Sequence, residues 1–223
     1  RVFIDILKRI PVSAGLAGGS SDAGAVLIGL SKLFKTKLTK KELMRMGVKL
    51  GADVPFCILR GTALAEGIGE KLTPLPSLPY THILIAKPNI SVSTESIFKQ
   101  LSLKNIKNHP DTSGIIEAIE EQNTKFIFDN MYNVLEEITA KKYPVIEQIK
   151  KEMIKNGASA SMMSGSGSAV FGIFENKYKC VEAAINLKNE LRLKEVYPTS
   201  TYMQKSKKGK NNYVRRKIHN ANK

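Results

Sequence analysis

Long apolar runs are missing from this 223-residue chain, and none approaches the roughly 20 residues that a membrane-spanning helix requires. Its opening, Arg1-Val2-Phe3-Ile4-Asp5, lacks the basic region, apolar stretch and small-residue cleavage site of a secretion signal. The expected location is therefore the cytoplasm. Cysteine is scarce. Cys57 and Cys180 are the only two, far apart and with no second Cys or clustered His beside them, which excludes a metal or redox motif of ordinary spacing. Both read as small buried hydrophobes. His82, His109 and His219 are scattered and match no motif, so no chemistry is assigned to them.

Acidic residues are few: 20 Asp and Glu against 35 Lys and Arg leave a net charge of +15. Eight of those charges fall between Lys205 and Lys223, a stretch with no acids; fifteen less eight leaves +7 on the body. A segment so poor in apolar residues cannot offset its ordering entropy by burial, so it is expected to be flexible. It reads as a solvated or cloning-derived tail, or as a nucleic-acid contact. The body shows no recognisable base-reading module.

What is present is ordinary for a globular protein: 42% hydrophobic and 25% charged residues, enough for one large domain or two small ones. Residues 2–10 alternate with a two-residue period and predict a strand stopped by Pro11. A glycine-rich turn follows. From Ser20 the segment begins with N-cap residues and then sets Val26, Leu27, Leu30, Leu33 and Phe34 on one helical face. Thr39 is predicted to cap a helix running to Leu50, and Gly51-Ala52-Asp53-Val54-Pro55 leads into the apolar run from Phe56 to Leu59.

Pro74, Pro76 and Pro79 mark a boundary. Beyond it the pattern predicts a strand over 82–86, a helix over 93–101, a polar connection through Thr112 and helices covering 113–156. Two short strands, 158–163 and 169–174, flank Gly165-Ser166-Gly167. A helix over 177–191 and a strand over 195–202 follow. If the middle helices count as one element, the second half runs β-α-β-β-α-β, the order of a ferredoxin-like unit.

The run Pro11-Val12-Ser13-Ala14-Gly15-Leu16-Ala17-Gly18-Gly19-Ser20-Ser21-Asp22-Ala23 carries the strongest local chemistry. Its glycines let backbone approach a ligand, and the helix that follows turns free N–H groups and the positive end of its dipole toward an anion. Ser20 and Ser21 add hydroxyls for a phosphate oxygen or Mg²⁺. An ordinary helix start with a flexible lead-in would read the same way. A Walker A loop is excluded because Gly19 precedes Ser20 instead of Lys, and the spacing of Gly15, Gly18 and Gly19 does not fit G-x-G-x-x-G.

This run resembles the signature of the GHMP kinases. Leu50 to Phe56, Gly61 to Pro74 and Met163 to Phe171 resemble further segments of one member of that family, a kinase of isoprenoid biosynthesis whose acceptor carries a cytidine diphosphate group. The resemblance covers about Val2 to Tyr202 and implies a two-lobed α+β fold with the active site between the lobes. It divides the chain into an N-terminal ATP-binding domain over 1–79, a ferredoxin-like C-terminal domain over 80–203 and a basic tail over 204–223.

The roles it implies are specific. Asp53 would be the catalytic carboxylate, where the bare sequence also allows an Asx-turn or helix-terminus aspartate. Pro11 and Gly15 through Ser21 (Gly15, Leu16, Ala17, Gly18, Gly19, Ser20, Ser21) would bind ATP, with Ser20 or Ser21 touching Mg²⁺. Asp22 fits a ligand contact or a first-turn carboxylate equally well. Gly165, Ser166 and Gly167 would pack beside the first loop and the substrate phosphates; without the resemblance they read as a hairpin turn. Thr94 and Phe98, four residues apart, would share a helix face toward the acceptor, with Ile68 on the other side of the cytosine, although Phe98 also suits a core position. Lys8 and Arg9 are given no role. The family also carries a lysine and an aromatic–histidine pair on strands that precede the segment opening this chain. On that reading the chain is a fragment with a truncated N-terminal lobe. Another GHMP acceptor, or nucleic-acid binding through the tail, is the alternative function.

Overall fold

The computed structural model describes residues 1–101, 106 and 108–202. The basic tail expected over 204–223 lies outside them.

The N-terminal part is built from three helices and a hairpin. α1 (Gly18–Leu33), α2 (Lys40–Val48) and α3 (Val54–Leu59) close around Leu43, Val54 and Ile58, with Ala23, Leu27, Ile28 and Met44 packed against them. Gly47 of α2 allows the close approach of α3, since a β-carbon there would meet Val54 Cγ1 at 2.9 Å. α2 begins with a capping box: the Thr39 hydroxyl accepts the Glu42 N–H, and the Glu42 carboxylate accepts the Thr39 N–H. These two hydrogen bonds satisfy donors that the helix ladder leaves unpaired. The helix ends at Val48, two residues before the expected stop. β1 (Thr62–Glu66) and β2 (Lys71–Leu75) pair as an antiparallel hairpin in which Pro74 faces Ala63. Pro74 can occupy β2 because that strand has β1 on one side only, leaving an edge where no N–H is needed.

Two expectations fail here. Residues 2–10 form no strand, and Phe3 and Leu7 are about four-fifths exposed. An alternating sequence becomes a strand only when a neighbour accepts its ladder hydrogen bonds, and no strand among the described residues does so. The buried face of α1 also differs from the predicted one. Ala23, Gly24, Leu27 and Ile28 turn to α3, whereas Leu33 and Phe34 are exposed at the helix end. Spacing identifies an apolar stripe, but the position of the neighbouring helix decides which part of it is covered.

The C-terminal part is one antiparallel sheet, ordered β4 (Ala160–Met163), β5 (Val170–Phe174), β3 (His82–Lys87), β6 (Glu195–Ser200). α8 (Val145–Lys155) and α9 (Lys177–Glu190) lay Ile146, Ile149, Met153, Ala183, Ala184 and Leu187 against Leu84, Met163, Val170, Phe174 and Val196. This is the strand order and two-layer packing of a ferredoxin-like unit. The predicted middle helical region is four separate elements: α5 (Thr112–Glu120), α6 (Thr124–Asp129), α7 (Val134–Lys142) and α8. Asp111, Asn123 and Asn133 cap the first three of these through their side chains. Cys180 is buried and Cys57 half-buried, and burial pushes both thiols above their ordinary pKa. Both are therefore poor nucleophiles.

Candidate active site

A cleft of about 420 Å³ opens where the two parts meet. One wall is the first glycine loop, from Pro11 to Gly19. Facing it are Asp53, Thr94 and Phe98, and Gly165 and Ser166 close the end.

The first loop runs into α1 two residues earlier than the serines suggested. Ala17 is the N-cap, in a left-handed conformation (φ 50°), and no side chain caps the helix. The N–H groups at the start of α1 are therefore not taken by a capping side chain, and an anion in the cleft meets the positive end of a 16-residue helix. Ser20 and Ser21 sit inside the first turn and do not line the cleft; Ser21 N–H donates to Ala17 O at 2.8 Å. Ser20 Oγ faces the turn before Asp53, since a β-carbon built on Gly51 would lie 3.9 Å from it.

The two glycine loops are fastened to each other. Ser164 Oγ donates to Gly15 O at 2.8 Å, and Ala169 N–H donates to Ala14 O at 2.9 Å. Gly15 has φ +72°, and a β-carbon there would stand 2.1 Å from Ser164 O. No residue but glycine fits.

Asp53 occupies the N-cap position of α3, where Pro55 follows in the first turn. Its side chain makes no capping hydrogen bond and is exposed toward the cleft. An Asx-turn role is thereby removed, and the carboxylate is available to a ligand. The β1–β2 tip stands beside it: a β-carbon on Gly69 would be 3.9 Å from Asp53 Oδ1. Ile68, at that tip, is 73% exposed and does not line the cleft.

Thr94 opens α4 (Thr94–Gln100), which Ser93 caps by accepting the Ser96 N–H. Its hydroxyl lies 2.8 Å from Ser166 Oγ, tying the start of α4 to the second loop. Phe98, one turn further on, is 54% exposed, which excludes a core role. Lys8 also reaches the cleft, where it pairs with Asp22. The only sequence signal for it was a cation three residues before Pro11. Asn133, the cap residue of α7, and Glu136 and Thr139 within that helix bond to the second loop, and no motif indicated them.

Comparison with known proteins agrees with this geometry. The family model described as GHMP kinases N terminal domain matches residues 1–61, and that described as GHMP kinases C terminal matches 115–192. The chain is 50% identical over 201 residues to the 4-diphosphocytidyl-2-C-methyl-D-erythritol kinase of Lachnospira eligens, covering 90% of this chain and 70% of that protein. It is 52% identical over 200 residues to the same-named kinase of Caldicellulosiruptor saccharolyticus, covering 90% and 68%. A crystal structure of 4-(cytidine 5'-diphospho)-2C-methyl-D-erythritol kinase superposes with a TM-score of 0.75 at 31% identity over 88% of this chain and 69% of that one. Homoserine kinase from Cytophaga hutchinsonii shares the fold, with a TM-score of 0.70 at 18% identity over 88% and 68%. With half its residues identical over 90% of its length to such kinases, and the two glycine loops joined around one cleft, the chain belongs to the 4-diphosphocytidyl-2-C-methyl-D-erythritol kinase family of GHMP kinases.

Proposed function

We propose that this chain transfers the γ-phosphate of ATP to the 2-hydroxyl of 4-diphosphocytidyl-2-C-methyl-D-erythritol, a step of non-mevalonate isoprenoid biosynthesis. The observation that carries this reading is the convergence of Asp53 and both glycine loops on one cleft. Phosphoryl transfer asks a protein for positioning and charge stabilisation, plus a group to take or orient the acceptor proton. The first loop and the uncapped start of α1 would hold the ATP phosphates through backbone N–H groups. Asp53 would accept the proton of the acceptor hydroxyl. Thr94 and Phe98 would hold the cytidine end, with Ile68 at the neighbouring tip and Ser166 fixed by Thr94. Lys8, held by its ion pair with Asp22, would stand beside the phosphates and could turn its ammonium group to them.

When bound, Mg²⁺ would supply charge neutralisation at the ATP phosphates. Among the described residues no group of three or more His, Cys, Asp or Glu could hold it. A kinase magnesium is held largely by substrate phosphates with one or two protein ligands, for which Ser20, facing the Asp53 turn, and Ser21 are our candidates. We place the lobes at 1–79 and 80–203, with 204–223 as a tail. Among the described residues no helix is long and apolar enough to cross a membrane. We place the enzyme in the cytoplasm on the chemistry of its small, charged, soluble substrates.

The test is coupled ADP release by the chain with ATP, Mg²⁺ and the diphosphocytidyl acceptor, compared with homoserine and mevalonate. Turnover with the first acceptor alone supports the assignment. Turnover with either of the others instead would overturn it.

A further inference from the structure

Asn133, Glu136 and Thr139 are spaced by three and lie on one face of α7. All three bind the backbone around the second glycine loop. Asn133 Nδ2 donates to Met163 O at 2.9 Å and to Gly165 O at 2.8 Å. Glu136 Oε2 accepts the Met163 N–H at 2.6 Å. Thr139, fully buried, donates its hydroxyl hydrogen to Ser166 O at 3.2 Å. The other Glu136 oxygen pairs with Lys150 of α8, which also reaches Glu147.

None of the three lines the cleft. The loop they grip does, and within itself it is held by two backbone hydrogen bonds: Gly167 N–H donates to Ser164 O and Ser164 N–H to Ala169 O, both at 2.9 Å, while Gly165 and Gly167 take positive φ. From outside it is held by Asn133 and α7, by the Gly15 loop, by Thr94 at Ser166 and by Ile90 O, which accepts the Ser168 hydroxyl at 3.1 Å.

We propose that Asn133, Glu136 and Thr139 are positioning residues for phosphoryl transfer, setting where the Gly165–Ser166 backbone stands relative to Asp53 and the first loop. This rests on the kinase reading. A displacement of about 1 Å at such a wall lowers the rate by far more than it weakens ground-state binding.

Asn133 allows a clean separation of roles, because its Oδ1 caps α7 by accepting the Leu135 N–H at 3.0 Å while its Nδ2 holds the loop. Asn133→Asp keeps the cap acceptor and removes both loop donors. The full chain and this variant are compared by melting temperature, by kcat and KM for ATP and the acceptor, and by amide exchange over residues 163–169. Expected for Asn133→Asp, which sets a carboxylate oxygen against two carbonyls, are a melting temperature lowered by a few degrees with the folded protein intact at assay temperature, a kcat reduced by about tenfold or more, KM values within about threefold, and faster exchange in the loop. Thr139→Val should behave alike, and Thr139→Ser should restore kcat. Unchanged kcat and unchanged exchange in Asn133→Asp would overturn the proposal. If the unchanged protein fails to phosphorylate the acceptor, the kinase reading falls by itself. Exchange then decides alone: a protected loop that loses protection in Asn133→Asp supports the clamp, and equal exchange overturns it.

Discussion

At Asp53 a single carboxylate stands at the start of a short helix without capping it. A base held at hydrogen-bonding reach of the transferred proton typically contributes about 10²–10⁴-fold to the rate. Asp53→Asn keeps the shape and removes the acceptor, so kcat should fall within that range while KM and melting temperature stay near their original values. Equal activity in steady-state assays would remove Asp53 from the chemistry. Gly15 is the opposite kind of residue, defined by what cannot be added to it. Gly15→Ala forces a left-handed alanine and places its β-carbon 2.1 Å from Ser164 O. Strain and the lost Ser164–Gly15 hydrogen bond should together destabilise the protein by about 2–4 kcal/mol, measured by denaturant unfolding.

Among the elements, α2 shows how local sequence sets a boundary. Hydrogen bonds from the Thr39 hydroxyl and then the Thr39 backbone hold the Glu42 carboxyl below its ordinary pKa. A depressed carboxyl stabilises the fold above its unfolded-state pKa and loses that contribution as pH falls through the folded-state value. Glu42→Gln should therefore melt earlier than the original protein at neutral pH, and the gap should shrink as pH falls below about 4; a pH-independent gap would show that charge plays no part. α8 carries the converse case in Lys150. Burial pulls its pKa down, but hydrogen bonds and charge from Glu136 and Glu147 outweigh that and leave it raised. Lys150→Met strands Glu136 beside the second loop, and after allowance for solvent screening a loss of about 1–2 kcal/mol in unfolding free energy is expected.

For the whole molecule, the two parts meet through one backbone hydrogen bond, Ala169 N–H to Ala14 O, and one from the Ser164 hydroxyl to Gly15 O, between loops that lie more than 140 residues apart in sequence. Substrate bound in the cleft touches both, so a nucleotide should stabilise the protein as one unit. Mg²⁺ with a non-hydrolysable ATP analogue at a hundred times its dissociation constant should add about 2.7 kcal/mol to unfolding. In calorimetry this should appear as a single transition moving to higher temperature. A shift confined to one of two resolved transitions would mean that the nucleotide engages one lobe only.

Features that act within a few residues of chain were legible before any packing was known. Thr39 with Glu42 fixed the start of α2, the periodicity of residues 177–190 fixed α9, and the glycines around residues 15 and 165 marked backbone that comes close to something. Sequence could not determine what they come close to. An alternating segment such as 2–10 is a strand only if a neighbour takes its hydrogen bonds, Leu33 and Phe34 are core only if a surface reaches them, and Ser20 caps nothing because the helix starts at Gly18. Only long-range packing set Gly15 on Ser164, brought Lys8 into the cleft, left Ile68 outside its lining and laid α7 and its cap residue against the second loop. Each depends on contacts between distant residues, whereas capping and periodicity act within a few residues of chain.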